Sequence, residues 1–262
     1  MLIPVTSLDA PELEDYRDVR EKDRLARGVV TVEGDVPLRV LARRGRLAVR
    51  SVLLADSRVA ALSDVVFALP HVPVYVAPAA VMDAIVGFPI HRGALAACDR
   101  PAPIATFDLL SAPGDGLVVA LEEISNHDNV GGIFRNAAAF GARAVVLDER
   151  SCDPLYRKAI RVSSGAALYV PFSRGGSRGE LMTALRAAGY TVIALTPSAT
   201  IDIRDVPRPP RVALLVGAEG PGLSAETMAT ADVCARIAMV PGFDSLNVAV
   251  ASGIALSALF RS

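Results

Sequence analysis

Cysteine is scarce and poorly placed for structural chemistry. Cys98, Cys152 and Cys234 are odd in number, far apart and without CxxC spacing, and the three histidines, His71, His91 and His127, are equally scattered. No disulfide framework and no metal site is signalled, and the thiols read as buried or idle. Long apolar runs are missing too, since none approaches the roughly 20 residues that cross a bilayer. The opening residues, MLIPVTSLDAPELEDYRD, are acidic where a secretory signal carries positive charge ahead of an apolar core. A cytoplasmic protein with no membrane segment and no metal is expected.

The familiar glycine fingerprints are absent as well. Gly217, Gly220 and Gly222 stand as GxxGxG, so the GxGxxG of dinucleotide-binding folds fails, and no GxxxxGK[ST] phosphate loop occurs. No GxSxG elbow appears and no histidine is placed to complete a triad, which argues against a nucleophilic hydrolase. Lysine is nearly missing: of 27 basic residues all but Lys22 and Lys158 are arginine, on a chain of net charge −1. Arginine suits bidentate phosphate contacts. Arg39, Arg43, Arg44, Arg46 and Arg50 fall close together with no acid among them, and they read either as a solvated helix face and turn or as an RNA-backbone patch.

What is present is a well-packed chain of 262 residues, 52% hydrophobic and 21% charged. That length favours two domains. Residues 1–100 alternate helix and strand as a small α/β domain: helix 11–25, strand 29–33, helix 36–44 ending at Gly45, strand 50–55, helix 57–69, strand 72–77, helix 79–86 and strand 94–98. Residues 101–116, with Pro101, Pro103, Pro113 and Gly114, form the linker. Residues 117–262 have stronger punctuation. Strands are predicted at 117–121, 144–147, 168–171, 191–195, 212–216 and 233–239, with helices at 129–140, 154–162, 179–188 and 225–230. The continuous apolar run at 117–121 suits a parallel sheet covered on both faces, and in such sheets ligands sit at the C-terminal rim of the strands.

Three constellations lie on that rim. In the first, Asn129-x5-Arg135-Asn136, Asn129 is placed as a helix cap, and Gly131 and Gly132 weaken the first turn unless something approaches the backbone closely. The second, VGAEGPGLS at 216–224, leaves a strand end open with Glu219 in the middle. The third is IAMVPGFDSLNVAVASGI at 237–254. There Ser245 takes the cap position and Asn247 the first turn of a helix whose small residues imply close, nearly complete burial. Each alone could be an ordinary turn or cap.

Together, NVGGIFR (129–135), GAEGPGL (217–223) and IAM…SLNVAVASGI (237–254) resemble, in order, the motifs of the SpoU/TrmH family of RNA ribose 2′-O-methyltransferases, members of the SPOUT class. The stretch DPLYRKAIRVSSGA (153–166) is similar to the segment that follows the first motif. One departure is Ala238, where the family has proline.

The resemblance implies a C-terminal parallel α/β SPOUT methyltransferase domain with a trefoil knot, working as a homodimer. It also implies S-adenosyl-L-methionine as cofactor, held by Leu195, Thr196, Gly217, Ile237, Met239, Ser245 and Leu246. Arg135 is implied as the group acting on the ribose 2′-hydroxyl, with Asn129, Glu219, Ser245 and Asn247 around it. The N-terminal domain is similar to the L30e-like substrate-binding domain of many members, which makes Arg39–Arg50 the candidate RNA patch. Ribosomal RNA is the favoured substrate and transfer RNA the alternative. A non-catalytic RNA-binding module and a nucleotide-dependent enzyme of another class are the rivals.

Overall fold

The computed structural model describes residues 1–17, 21–87, 90 and 92–260; His91 lies outside them. The chain forms two compact units, residues 1–102 with 155–169, and residues 103–154 with 170–262.

The first unit contains β1 (Leu2–Pro4), α1 (Glu21–Ala26), β2 (Val29–Glu33), α2 (Asp35–Arg44), β3 (Val49–Ala55), α3 (Ser63–Ala68), β4 (Val74–Ala77), α4 (Ala79–Val86) and β5 (Ala94–Asp99). Its sheet runs β1-β4-β3-β5-β2, parallel across β1, β4 and β3 and antiparallel across β3, β5 and β2. Leu53, Tyr75, Met82, Ile85 and Leu95 form the core on one face. Helix α2 ends at Gly45, which turns to an extended conformation while its N–H donates to the Leu41 carbonyl at 3.0 Å, and a Cβ there would lie 2.6 Å from that oxygen. Residues 11–16 form a 3-10 helix rather than the start of a long α-helix, and Asp56–Arg58 is a separate 3-10 turn ahead of α3. Strand β1 was not legible in LIP. Burial pushes the Cys98 thiol up to about 12, and the partly covered Cys152 of the second unit to about 11, so both thiols are inert near neutral pH.

In the second unit come α5 (Thr106–Leu110), β6 (Gly116–Glu122), α6 (His127–Ala139) and β7 (Ala144–Leu147). The chain then makes α7 (Arg157–Val162) within the first unit and returns as β8 (Phe172–Arg174), α8 (Arg178–Ala187), β9 (Thr191–Leu195), β10 (Ile201–Asp202), β11 (Arg211–Gly217), α9 (Ala225–Thr230), β12 (Val233–Arg236) and α10 (Val248–Leu259). The seven-stranded sheet, β10-β12-β9-β11-β6-β7-β8, is parallel throughout. Val118, Ala120, Leu181, Leu185, Val192 and Leu215 pack within one core cluster. Ser177 and Glu180 close a reciprocal capping box at the start of α8.

Three expectations change here. The strand expected at 168–171 is β8 at 172–174, because 166–168 turns as a 3-10 helix after Gly165 in the left-handed region. The stretch expected as a linker contains α5. Helix α10 is not wholly buried: Ser252, Ala255 and Leu256 face inward, while Val250 is 53% and Ile254 41% exposed.

Candidate functional site

At the C-terminal ends of β9 and β11 the second unit encloses a cavity of about 550 Å³. All of Leu195, Thr196, Gly217, Ile237, Met239, Ser245 and Leu246 lie on its wall. They come from the end of β9, the turn after β11 and the long segment before α10. Sequence reasoning missed Pro197, Ser198, Met228 and Val248, which share that wall. Nothing in their residue types marks them; they follow or face motif positions.

The glycine turn is built by close backbone approach. Gly220 and Gly222 take positive φ, 87° and 70°, and Ala218 bridges back to Gly222. A Cβ on Gly217 would lie 2.5 Å from the Gly222 carbonyl carbon, so only glycine lets the loop close on the strand end. Beneath it is Glu122, which no motif in the sequence marks. It is aligned with Gly217 across the parallel strands, only 3% exposed, and accepts a hydrogen bond from the Ser224 N–H at 3.0 Å. Its other carboxylate oxygen is buried without a hydrogen-bond partner among the described residues.

One side chain ties the three constellations together. The Asn247 amide donates to Asn129 Oδ1 at 2.9 Å and to Glu219 Oε1 at 2.8 Å. Its own oxygen accepts from the Ala249 and Val250 N–H groups at 3.0 and 3.3 Å. Asn247, not Ser245, is therefore the cap of α10, because its shorter reach to the second and third N–H groups satisfies two orphan donors at once. Likewise Asn126, not Asn129, caps α6, accepting from the Asp128 N–H at 2.8 Å. Asn129, 4% exposed, is thereby free to bond Asn247. Helices α6 and α10 touch closely: a Cβ on Gly132 would meet the Ala249 methyl at 2.7 Å. Asn136 donates to the Ala249 carbonyl at 2.6 Å and to Ser252 Oγ at 3.1 Å. The close approach that Gly132 implied is thus a second helix.

Arg135 projects from α6 into solvent, six residues after Asn129, and pairs with no carboxylate among the described residues. Ser245 is on the cavity wall. The segment around Ala238 shows what the missing proline permits. Asp202 is held well below the usual carboxylate range by the Arg204 guanidinium first and then by backbone N–H groups that include Ala238, a donor that proline lacks.

In the first unit the arginine cluster is divided. Arg39 and Arg43 share Asp64 at 2.9 and 3.2 Å, and Arg39 holds that carboxyl below its ordinary value. Arg50 pairs with Asp99 at 2.6 Å and Asp15 at 3.2 Å. Arg44 lies over the Tyr169 ring, 3.9 Å from its centre, and Arg46 is exposed.

Residues 116–257, which hold the sheet, the cavity and all three motifs, match the SpoU rRNA Methylase family model. The chain belongs to that family. Likeness to known proteins reaches beyond these residues. An uncharacterized tRNA/rRNA methyltransferase of Mycobacterium tuberculosis is 40% identical over 268 residues, 97% of this chain and 90% of that one. A 23S rRNA (guanosine-2′-O-)-methyltransferase of a Burkholderia species is 32% identical over 182 residues, 69% of this chain and 74% of that one. Among solved structures, the AdoMet-bound rRNA methyltransferase from Sinorhizobium meliloti superposes with a TM-score of 0.82 at 25% identity, covering 98% of this chain and 97% of that one.

Proposed function

We propose that this SpoU-family chain is an S-adenosylmethionine-dependent methyltransferase that acts on an RNA ribose 2′-oxygen in the cytoplasm, with ribosomal RNA ahead of transfer RNA as substrate. The observation that carries the reading is the Asn247 amide, which joins Asn129 and Glu219 beside a cavity at the sheet's C-terminal rim. The family supports the reaction class, and the Burkholderia relative's name supports the 2′-oxygen and ribosomal RNA.

The cavity suits the cofactor. Its volume is within the range of small-molecule sites, with Leu195, Ile237 and Leu246 as apolar walls for a purine and Thr196, Ser198 and Ser245 as hydroxyl-bearing edges. When bound, S-adenosylmethionine supplies a methyl group that leaves its sulfonium sulfur for an attacking oxygen. The protein's part is to place that oxygen and carry the charge that develops on it. Asn129, Asn247 and Glu219 hold the two helices and the glycine turn in register. Arg135 faces the 2′-hydroxyl, where its permanent charge favours the forming alkoxide as the proton leaves to solvent. The segment 237–247 threads a knot in this reading. The exposed Val240, Phe243, Val250 and Ile254 cover one another across a second copy of the chain.

The test is methyl transfer from labelled S-adenosylmethionine to ribosomal and transfer RNA pools that lack this modification. It uses the purified chain, whose mass by light scattering is expected at two copies. A 2′-O-methylated nucleoside in the ribosomal pool is the expected result. Label in transfer RNA alone overturns the substrate choice, and a chain that binds no cofactor overturns the reaction.

Glu122 gives a second check on the cavity. Glu122→Ala leaves the partly buried Ser224 N–H without its carboxylate acceptor, a loss of about 1 kcal/mol, and is expected to weaken cofactor binding about tenfold by titration calorimetry. Glu122→Gln keeps an oxygen in place and should recover most of that affinity. Wild-type binding by the alanine variant would show that the turn needs no such support.

A further inference from the structure

Two acid-free stretches of the first unit, residues 36–55 and 155–169, are distant in sequence and packed together in space. Gly165 approaches α2 so closely that a Cβ there would be 2.9 Å from Val40 Cβ. The Arg46 N–H donates to the Leu168 carbonyl at 3.0 Å, and this contact carries Tyr169 to the C-terminal end of α2, beneath Arg44.

The neighbouring carboxylates then sort the cations. Asp64 takes Arg39 and Arg43, Asp15 and Asp99 take Arg50, and the buried Glu33 faces Arg157 at 3.5 Å and Arg161 at 3.9 Å. Arg44 and Arg46 are both exposed, and neither meets a carboxylate among the described residues. On a chain of net charge −1, this places two uncompensated guanidinium groups beside a partly exposed aromatic ring.

Resting on the RNA substrate of the proposed function, we infer that Arg44, Tyr169 and Arg46 form an RNA-contact platform, in place of the wider Arg39–Arg50 patch. A guanidinium lying over a phenol ring is a flat, charged surface on which an unpaired base stacks, and the adjacent Arg46 takes a phosphate in bidentate fashion. An acidic protein segment would use the two charges but would have no need of the ring, which makes Tyr169 the discriminating residue.

The experiment measures binding of total ribosomal RNA and of a single-stranded uridine homopolymer across a salt series, beside calorimetric binding of S-adenosylmethionine. Arg44→Ala/Arg46→Ala is expected to reduce the slope of log affinity against log salt by about 0.7, for the one phosphate contact that Arg46 makes on a single strand. Cofactor affinity should stay at the wild-type value. Arg39→Ala/Arg43→Ala should change the slope by less than half as much. Tyr169→Ala should weaken binding about fivefold or more through lost stacking, and Tyr169→Phe should restore it.

An unchanged slope in the double variant, with methylation intact, overturns the platform and leaves the proposed function standing. A lost slope with no effect of Tyr169→Ala overturns the platform, leaving Arg44 and Arg46 as phosphate contacts without a stacking surface. A wild-type chain that neither binds nor methylates RNA overturns the proposed function and the platform with it.

Discussion

Replacing Arg135 with alanine is expected to lower the rate of methyl transfer by about 10²–10³-fold or more, the scale seen when one preorganised group is removed from a developing oxyanion. Cofactor affinity should stay within about twofold. The side chain is exposed on α6, ion-pairs with no described residue, and is absent from the cavity wall. Alanine is also the strongest helix former, so neither the fold nor the cofactor site depends on the guanidinium. What is lost is a permanent charge six residues along the helix that Asn129 anchors to Asn247. Arg135→Lys keeps charge without the planar fork and should recover only part of the rate. Rapid-quench turnover at saturating RNA, beside calorimetric cofactor binding, separates the two effects. If both fall together, Arg135 supports the cavity and is not the group acting on the hydroxyl.

The division between what could be read from sequence and what could not follows the range of each interaction. Helix α2, strand β3 and strands β6, β7, β9 and β11 were legible because a local apolar pattern coincides with burial. The cavity residues were legible through motif resemblance, and they do converge on one wall. The caps were misplaced by two or three residues, since Asn126 and Asn129, or Ser245 and Asn247, are equally good candidates until geometry decides which oxygen meets an N–H. Glu122 was invisible for a related reason: an acidic pair at a strand end normally faces water. Only the turn folding over it from residue 224 buries one member. How the arginine cluster divides could not be read because its counter-ions, Asp15, Asp64 and Asp99, are distant in sequence from the arginines they pair with.

Gly217→Ala should be the most damaging single-methyl change in the cavity proposed for the cofactor. Its backbone is not in the left-handed region, so alanine is conformationally allowed, and the obstacle is steric. The new Cβ would lie 2.5 Å from the Gly222 carbonyl carbon and 2.5 Å from the Leu223 nitrogen. Backbone atoms cannot rotate away as a side chain does. The turn must swing off the strand end, which opens the Ala218–Gly222 bridge and withdraws Glu219 from Asn247. The expected result is a fall in S-adenosylmethionine affinity of about 10²-fold, with an overpacking cost of about 1–3 kcal/mol. In a chain of this size each kcal/mol lowers the melting temperature by about 2–4 °C. Gly189→Ala, past the end of α8 and off the cavity wall, is the control. Its φ of 76° strains alanine by about 1–2 kcal/mol, but nothing lies within 4 Å of the added methyl. It should therefore lose stability while binding the cofactor nearly as well as the parent. Calorimetric titration and thermal unfolding of both variants decide the matter. Equal cofactor affinity in Gly217→Ala and wild type, with the melting temperature lowered, would mean that the cofactor does not bind in this cavity.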